Sequence, residues 1–454
     1  MKKRMYKIMA LAMTAAMVVP MAAQTTAFAA DDKEITYWNI AVESPDKDIV
    51  TAAVDKFNKE TESGYTVNSV AIQNDTYKEK LVIAMSSGEC PDMYSSWSGG
   101  PMYEYIDSGF AQPIDDLLDQ SDLKDKLLDA AIEQGSYNGH VYAIPYLNVS
   151  LAGIFYNKDM FKQYGLEEPK TLADLENICA TLKENGITPF ALANGSKWTG
   201  SMYFMSLAAR YGGLEPFQNA VAGTGKFTDD CFIKAGEKIQ EWVKNGYFPD
   251  GVNSLSEDDG QAKQLMYQET AGMLLCGSWY TGTFQTDSEE FYQKIGWFPF
   301  PAIDDSDADP TIQIGTVGDQ FISFNCEGDK LAAAFECAAD HLSDEVEDMI
   351  YSTGKIAPVK DAGDHISDPV VKEIFDAAQE ASSIQLWYDQ YLPTSVASAH
   401  LDGLQEVFGL TKTPQEAQEE MQTAMDEYLS TKSDSGAADD TAEEATDDAA
   451  DDAE

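Results

Sequence analysis

The chain has 454 residues, is 44% hydrophobic, and sets 78 acidic residues against 30 basic ones for a formal charge of −48. That length exceeds one ordinary core and implies two domains or a large α/β body, while the negative field repels nucleic acid and anionic lipid and excludes both as partners. Six cysteines (Cys90, Cys179, Cys231, Cys276, Cys326 and Cys337) lie far apart with no C-x-x-C spacing, and a chain this long has no need of a disulfide framework.

Residues 1–30 read as an export signal peptide: a basic start (MKKRMYK), an apolar run (IMALAMTAAMVV) and a small-x-small site, AFAA, before Asp31. The leader holds no cysteine, so no lipobox thiol is present to carry a diacylglycerol anchor. The mature chain is therefore expected outside the cytoplasm, extracellular or in the cell envelope, and periplasmic if the host has an outer membrane. No later segment approaches the roughly 18 apolar residues that span a bilayer.

Beyond the leader, ITYWNI (35–40) predicts a strand and DIVTAAVDKFNKE (48–60) a helix with Ile49, Ala53 and Phe57 on one face. TVNSVAI predicts a second strand, and YKEKLVIAMSSG a helix closed by Gly88. This βαβα alternation implies parallel strands with helices packed on their faces, an α/β protein. Thr171 with Asp174 opens the helix TLADLENICATLKENG, ended by Gly186, and Thr413, Pro414 and Glu416 form a second capping box. In AGMLLCGSWYTG (271–282), Met273–Cys276 predicts a fully buried strand bounded by glycines. Ligands on parallel sheets collect in loops beyond the strand C-termini, and Trp279 falls in such a loop. After Leu429 the chain turns to TKSDSGAADDTAEEATDDAADDAE, with ten acidic residues and one lysine. With so little apolar surface to bury, residues 431–454 are expected to be a disordered acidic tail.

Several apparent motifs fail on inspection. GTGKFT (223–228) has Ala220 where a phosphate loop needs its first glycine, and Phe227 where it needs a hydroxyl. Asp305, Asp307 and Asp309 begin like a calcium loop, but Pro310 and Thr316 occupy the glycine and glutamate positions. His140, His341, His365 and His400 form no zinc pair, and no G-x-S-x-G elbow occurs. Carboxylates are abundant, yet no pair stands out as a glycosidase couple. Catalysis, a metal and a cofactor are all without positive support.

What remains is a series of stretches in a fixed order: ITYWNI with its helix; KLVIAMSSGECPDMYSSW with DSGFAQPIDDLL; GHVYAIPYLNVSLAGIFYNKDMFKQYGLEEPKTLADL with NGITPFAL; GSWYTG; IGWFPFPA; and GKIAPV. Over residues 35–430 this pattern resembles the extracellular solute-binding proteins of bacterial ABC sugar importers, the family 1 group that includes maltose- and oligosaccharide-binding proteins. The resemblance implies a two-lobed periplasmic-binding-protein-like fold of type II, each lobe a mainly parallel sheet flanked by helices, joined by a multi-strand hinge. It places an N-lobe at 31–147 and 313–355, and a C-lobe at 148–312 and 356–430. It implies a non-enzymatic, monomeric receptor that closes on a carbohydrate, an oligosaccharide above all, and delivers it to membrane permease subunits of an ABC transporter. The alternatives are a receptor for a peptide, polyamine or metal chelate, and a secreted glycosidase.

A sugar presents hydroxyls on its edge and weakly apolar C–H patches on its faces, so its site calls for flat aromatics flanked by amide and carboxylate acceptors. Trp38 ends the first strand with Glu43 close behind, and Trp97 follows PDMYSS; the resemblance puts these positions on the N-lobe rim. On the other side, Asn148 stands at the first crossing, Trp198 opens a helix after NGSK, Trp279 follows its strand, and WYDQY supplies Trp387, Tyr388 and Asp389. Asp319, in GTVGDQ, completes the expected ligand-binding set.

Overall fold

The computed structural model describes residues 33–447, with side chains as far as Lys432. The predicted signal peptide and residues 448–454 lie outside the described residues. Among the described residues, eleven strands make the two main sheets: β1 Glu34–Asn39, β2 Thr66–Ala71, β3 Met93–Ser96, β4 Ala143–Tyr146, β5 Ser150–Asn157, β6 Thr188–Phe190, β7 Ala271–Gly277, β8 Ile295–Phe298, β9 Gln313–Thr316, β10 Gln320–Phe324 and β11 Ile384–Gln385. The first sheet has the order β2-β1-β3-β10-β4 and the second β11-β9-β5-β7-β6, with β8 pairing along the second half of β5. Each sheet is covered by helices, which makes two α/β lobes. Strands β5 and β7 are buried along their whole length, and only apolar or hydrogen-bonded residues can occupy a strand with both faces covered.

The N-terminal elements form where their periodicity predicts. Helix α1 (Asp46–Glu60) buries Ile49, Ala53 and Phe57, and α2 (Asn74–Ser87) ends on Gly88 with φ 75°, a left-handed cap that glycine adopts without strain. The Thr171–Asp174 capping box is reciprocal at the head of α3 (Leu172–Glu184). Thr413 and Glu416 likewise exchange hydrogen bonds of 2.9 and 3.2 Å at the start of α4 (Pro414–Asp447). The backbone of α4 stays helical through 447, into the stretch expected to be disordered; alanine, which recurs there, is the strongest helix former and extends a helix already packed upstream.

Three expectations differ from the structure. The sheets are mixed: β1 with β2 and β3, β6 with β7, and β9 with β11 run parallel, but β10 runs antiparallel to β3 and β4, and β5 to its three neighbours. The antiparallel strands are those that carry the chain between lobes, which a βαβ pattern does not describe. Strand β9 pairs with β5 and β11 in the second sheet, so the second crossing lies between Thr316 and Gln320 rather than before residue 313. Residues 358–360 still bond to the N-lobe backbone at Leu128 and Lys126, so the third crossing follows Lys360 rather than residue 355.

All six cysteines are free, and five of them are buried. Among the described residues no helix is long and apolar enough to cross a membrane.

Candidate functional site

The crossings meet at one side chain. Asn148, 1% exposed, lies between β4 and β5; its Oδ1 accepts from Ile356 N at 2.8 Å, its Nδ2 donates to Ser278 Oγ at 3.2 Å, and its carbonyl accepts from Asp319 N at 2.7 Å. Ser278 in turn donates to Val149 O at 3.1 Å. The turn after β7 is thereby pinned to the segments that join the lobes, and directly above it a cavity of about 240 Å³ opens between them.

One wall of this cavity is aromatic. Trp279 precedes a helix at Tyr280–Asp287, and its indole folds back over Gly277: a Cβ there would sit 1.9 Å from the ring. The glycine before the SW pair thus makes the space its tryptophan occupies. Trp198, at the head of the Trp198–Gly212 helix, and Trp387, just before the Tyr388–Tyr391 turn, each place their ring centroid 6.0 Å from that of Trp279. The three indoles form one contiguous cluster from three distant segments, with Trp198 and Trp387 inclined at 57° and 68° to Trp279. Opposite, on the N-lobe, Trp97 follows β3; it meets Tyr77 edge-on at 6.0 Å and carries the Lys78 ammonium 5.0 Å from its ring centroid.

The remaining lining is charged. Lys355, with a side chain 1% exposed, pairs with Asp46; Lys78 pairs with Asp389 at 3.4 Å, and Lys263 with Glu43 at 3.4 Å and Asp287 at 3.0 Å. The Lys78–Asp389 and Lys263–Glu43 pairs span the two lobes, as does the bond from Asp75 N to Asp258 Oδ2 at 3.0 Å, so the rims of the cleft are in contact. Gly99 and Gly100 let the same loop that carries Asp389 approach the N-lobe backbone: a Cβ on Gly100 would lie 2.2 Å from Leu392 O. Thr394 seals that contact with hydrogen bonds of 2.9 and 2.6 Å to Glu104. Burial pushes the Asp319 carboxyl up to about 7, aided by Asp46 and opposed by Lys355. Burial also lifts Glu257 to about 7, with the Tyr280 hydroxyl that donates to it and Lys263 pulling the other way.

Of the expected residues, Glu43, Trp97, Trp198, Trp279, Asp319, Trp387 and Asp389 line this cavity. Three do not. Asn148 is consumed by the knot between crossings. Tyr388 is 2% exposed and stacks on Phe217 at a centroid distance of 4.2 Å, inside the C-lobe helical layer. Trp38 is within β1 and packs with Tyr77, Leu81 and Met85 beneath α2. Sequence reasoning missed Glu257, Tyr280 and Lys355. Tyr280 was adjacent to a residue already singled out, and Lys355 lay in the quoted GKIAPV; Glu257, in SEDD, had nothing to distinguish it from dozens of other acids. Among the described residues there is no group of three or more His, Cys, Asp or Glu that could hold a metal ion.

The model of the family described as bacterial extracellular solute-binding protein matches residues 41–339, more than half of the chain. An uncharacterized ABC transporter extracellular-binding protein of Pyrococcus horikoshii is 32% identical over 228 residues, half of this chain and half of that protein. The melibiose/raffinose/stachyose-binding protein MelE of Bacillus subtilis is 24% identical over 288 residues, 61% of this chain and 63% of its own length. The chain thus spans about half to two thirds of these curated relatives. A solved structure connected with xylan utilization by the thermophilic bacterium Caldanaerobius polysaccharolyticus superposes with a TM-score of 0.79 at 29% identity, covering 86% of this chain and 99% of that one.

Proposed function

Because the chain belongs to the bacterial extracellular solute-binding protein family, whose members are binding proteins rather than enzymes, we propose that it is an exported, monomeric carbohydrate receptor. It closes on its ligand, an oligosaccharide by preference, and hands it to the permease subunits of an ABC importer. The observation that carries this reading is the surface of Trp198, Trp279 and Trp387, set at the floor of an interlobe cavity and ringed by carboxylates. Aromatic faces match the C–H patches of a pyranose, and carboxylates accept from its hydroxyls. Neither a peptide nor a polyamine needs three contiguous indoles. The MelE relative and the xylan-utilization structure are both connected with glycans, which supports the same class.

A thermal-shift screen over neutral mono- and oligosaccharides tests the proposal. A ligand at 100 times its Kd stabilises the folded state by about 2.7 kcal/mol, well within detection. Stabilisation by peptides or polyamines and by no glycan overturns the carbohydrate reading, and release of product from a labelled oligosaccharide overturns the receptor reading.

A further inference from the structure

Among the described residues, the cavity wall presents no free cation. Each of its three lysines is already in an ion pair: Lys355 with Asp46, Lys78 with Asp389, and Lys263 with Glu43 and Asp287. Three further carboxyls of the wall, Glu257, Asp258 and Asp319, make no ion pair with a lysine or arginine among the described residues. Asp258 accepts from the backbone of Asp75, and Glu257 from the Tyr280 hydroxyl. Asp319 stands beside Ser150 at the crossing, with Lys355 and Asp46 facing it; Glu257 is faced by Tyr280, Lys263, Asp258 and Asp75.

Building on the carbohydrate reading, we infer that this site selects by ligand charge: it accepts neutral glycans and rejects those bearing a carboxylate or phosphate, with Glu257 and Asp319 enforcing the rejection. A neutral hydroxyl can donate to either carboxylate in a charge-assisted hydrogen bond. An anionic group would either lie against an unpaired carboxylate or strip a lysine from its partner, in a cavity where charges interact more strongly than in water. Burial already holds both carboxyls near 7, which shows how poorly this cavity tolerates the negative charge it has. Acidification below 7 protonates both and weakens the rejection.

The long-range field of a chain at −48 also repels anions, but salt screens that field within about 10 Å at 0.1 M and 3 Å at 1 M. The test is therefore made at 0.5 M NaCl. Maltotriose, cellotriose, xylotriose and chitotriose are screened by calorimetry beside an array of uronate- and phosphate-bearing glycans, and the best neutral binder is compared with its own form oxidised to a terminal carboxylate. The acidic form should bind at least tenfold more weakly at pH 8, and the gap should narrow at pH 5.5. A Glu257→Gln, Asp319→Asn double variant should close most of the gap at pH 8 while changing the overall charge little. Equal or tighter binding of an acidic glycan overturns the inference, as does a gap that neither the variant nor pH alters. Binding of no glycan at all overturns the carbohydrate reading itself, and this inference falls with it. Should the double variant fold poorly, the wild-type pH series decides alone.

Discussion

Replacing Gly277 with alanine moves one indole and little else. Gly277 ends β7 and has no positive φ, so alanine meets no backbone strain there. Its Cβ would fall 1.9 to 2.3 Å from three carbons of the Trp279 ring, far inside van der Waals contact. The ring must swing, and because Trp279 is half-buried beside the cavity it has somewhere to go. Overpacking of this kind costs about 1–3 kcal/mol, with the low end expected here. Gly153→Ala is the matched control: its Cβ would meet the Trp297 ring at 2.2 Å, but that indole is 2% exposed and enclosed in the C-lobe core. Calorimetric titration of a neutral oligosaccharide and urea unfolding of both variants separate the two effects. Gly277→Ala should lose about 1–3 kcal/mol of binding, a factor of about 5 to 150, with a small stability loss. Gly153→Ala should lose more stability and keep its affinity while folded. Unchanged affinity in Gly277→Ala, or an equal affinity loss in folded Gly153→Ala, refutes the assignment of Trp279 to the ligand surface.

Further outcomes follow from buried polar groups. Asn148→Ala strands Ile356 N, whereas Ser278 Oγ still donates to Val149 O and accepts from Leu151 N, so unfolding should be easier by about 1–3 kcal/mol; a loss below about 0.5 kcal/mol in urea melts would mean the knot is dispensable. Glu257 is lifted from the ordinary carboxyl range to about 7, so its ionisation costs the ligand-free fold progressively as pH rises from about 4 to 7. Glu257→Gln should therefore be more stable than wild type at pH 8 by about 1–2 kcal/mol, after allowance for solvent in the cleft, and equal to it near pH 4.5. A less stable variant at pH 8 contradicts the sign. His400 and His341 are driven down by burial to about 3 and about 4, so each supports the fold fully above 6.5 and withdraws that support as pH falls toward those values. The slope is about 1.4 kcal/mol per pH unit for each histidine. A His400→Gln variant should show a shallower loss between pH 6.5 and 4.5, and an unaltered slope would exclude the histidine as its source.

Local elements were legible because their causes are local. The 3.6-residue spacing of Ile49, Ala53 and Phe57, the Gly88 stop and the Thr171–Asp174 cap are settled within a dozen residues, and the structure realises each. Strand direction was not legible, because it depends on where the chain changes lobe. AIPYLNVSLAGIFYN reads as one apolar run, yet it breaks at Leu147, whose φ of 72° turns β4 out of one sheet and β5 into the other. The role of Asn148 was equally hidden: its side-chain partners lie 130 and 208 residues away. Glu257 could not be distinguished either, since what marks it is burial beside Tyr280 and not its neighbours in the chain.

The tryptophans show how fine the distinction is. Trp38 lies in β1 and Trp97 just past the end of the neighbouring parallel strand β3, and both pack on the Tyr77–Leu81–Met85 cluster. Trp38 is the fifth residue of a six-residue strand whose alternate positions Ile35, Tyr37 and Asn39 face the buried side. Period-two alternation therefore directs Trp38 to the opposite face, where α2 covers it. Trp97 comes one residue after β3 has ended at Ser96, so no ladder fixes its side, and it turns into the cleft. Trp279, two residues past Gly277, obeys the same rule. At the strand ends, Trp97, Trp279 and Trp387 reach the interlobe cavity from just beyond the last paired residue, Trp38 is packed under a helix one position before it, and Trp198 reaches the same cavity from the head of a helix instead.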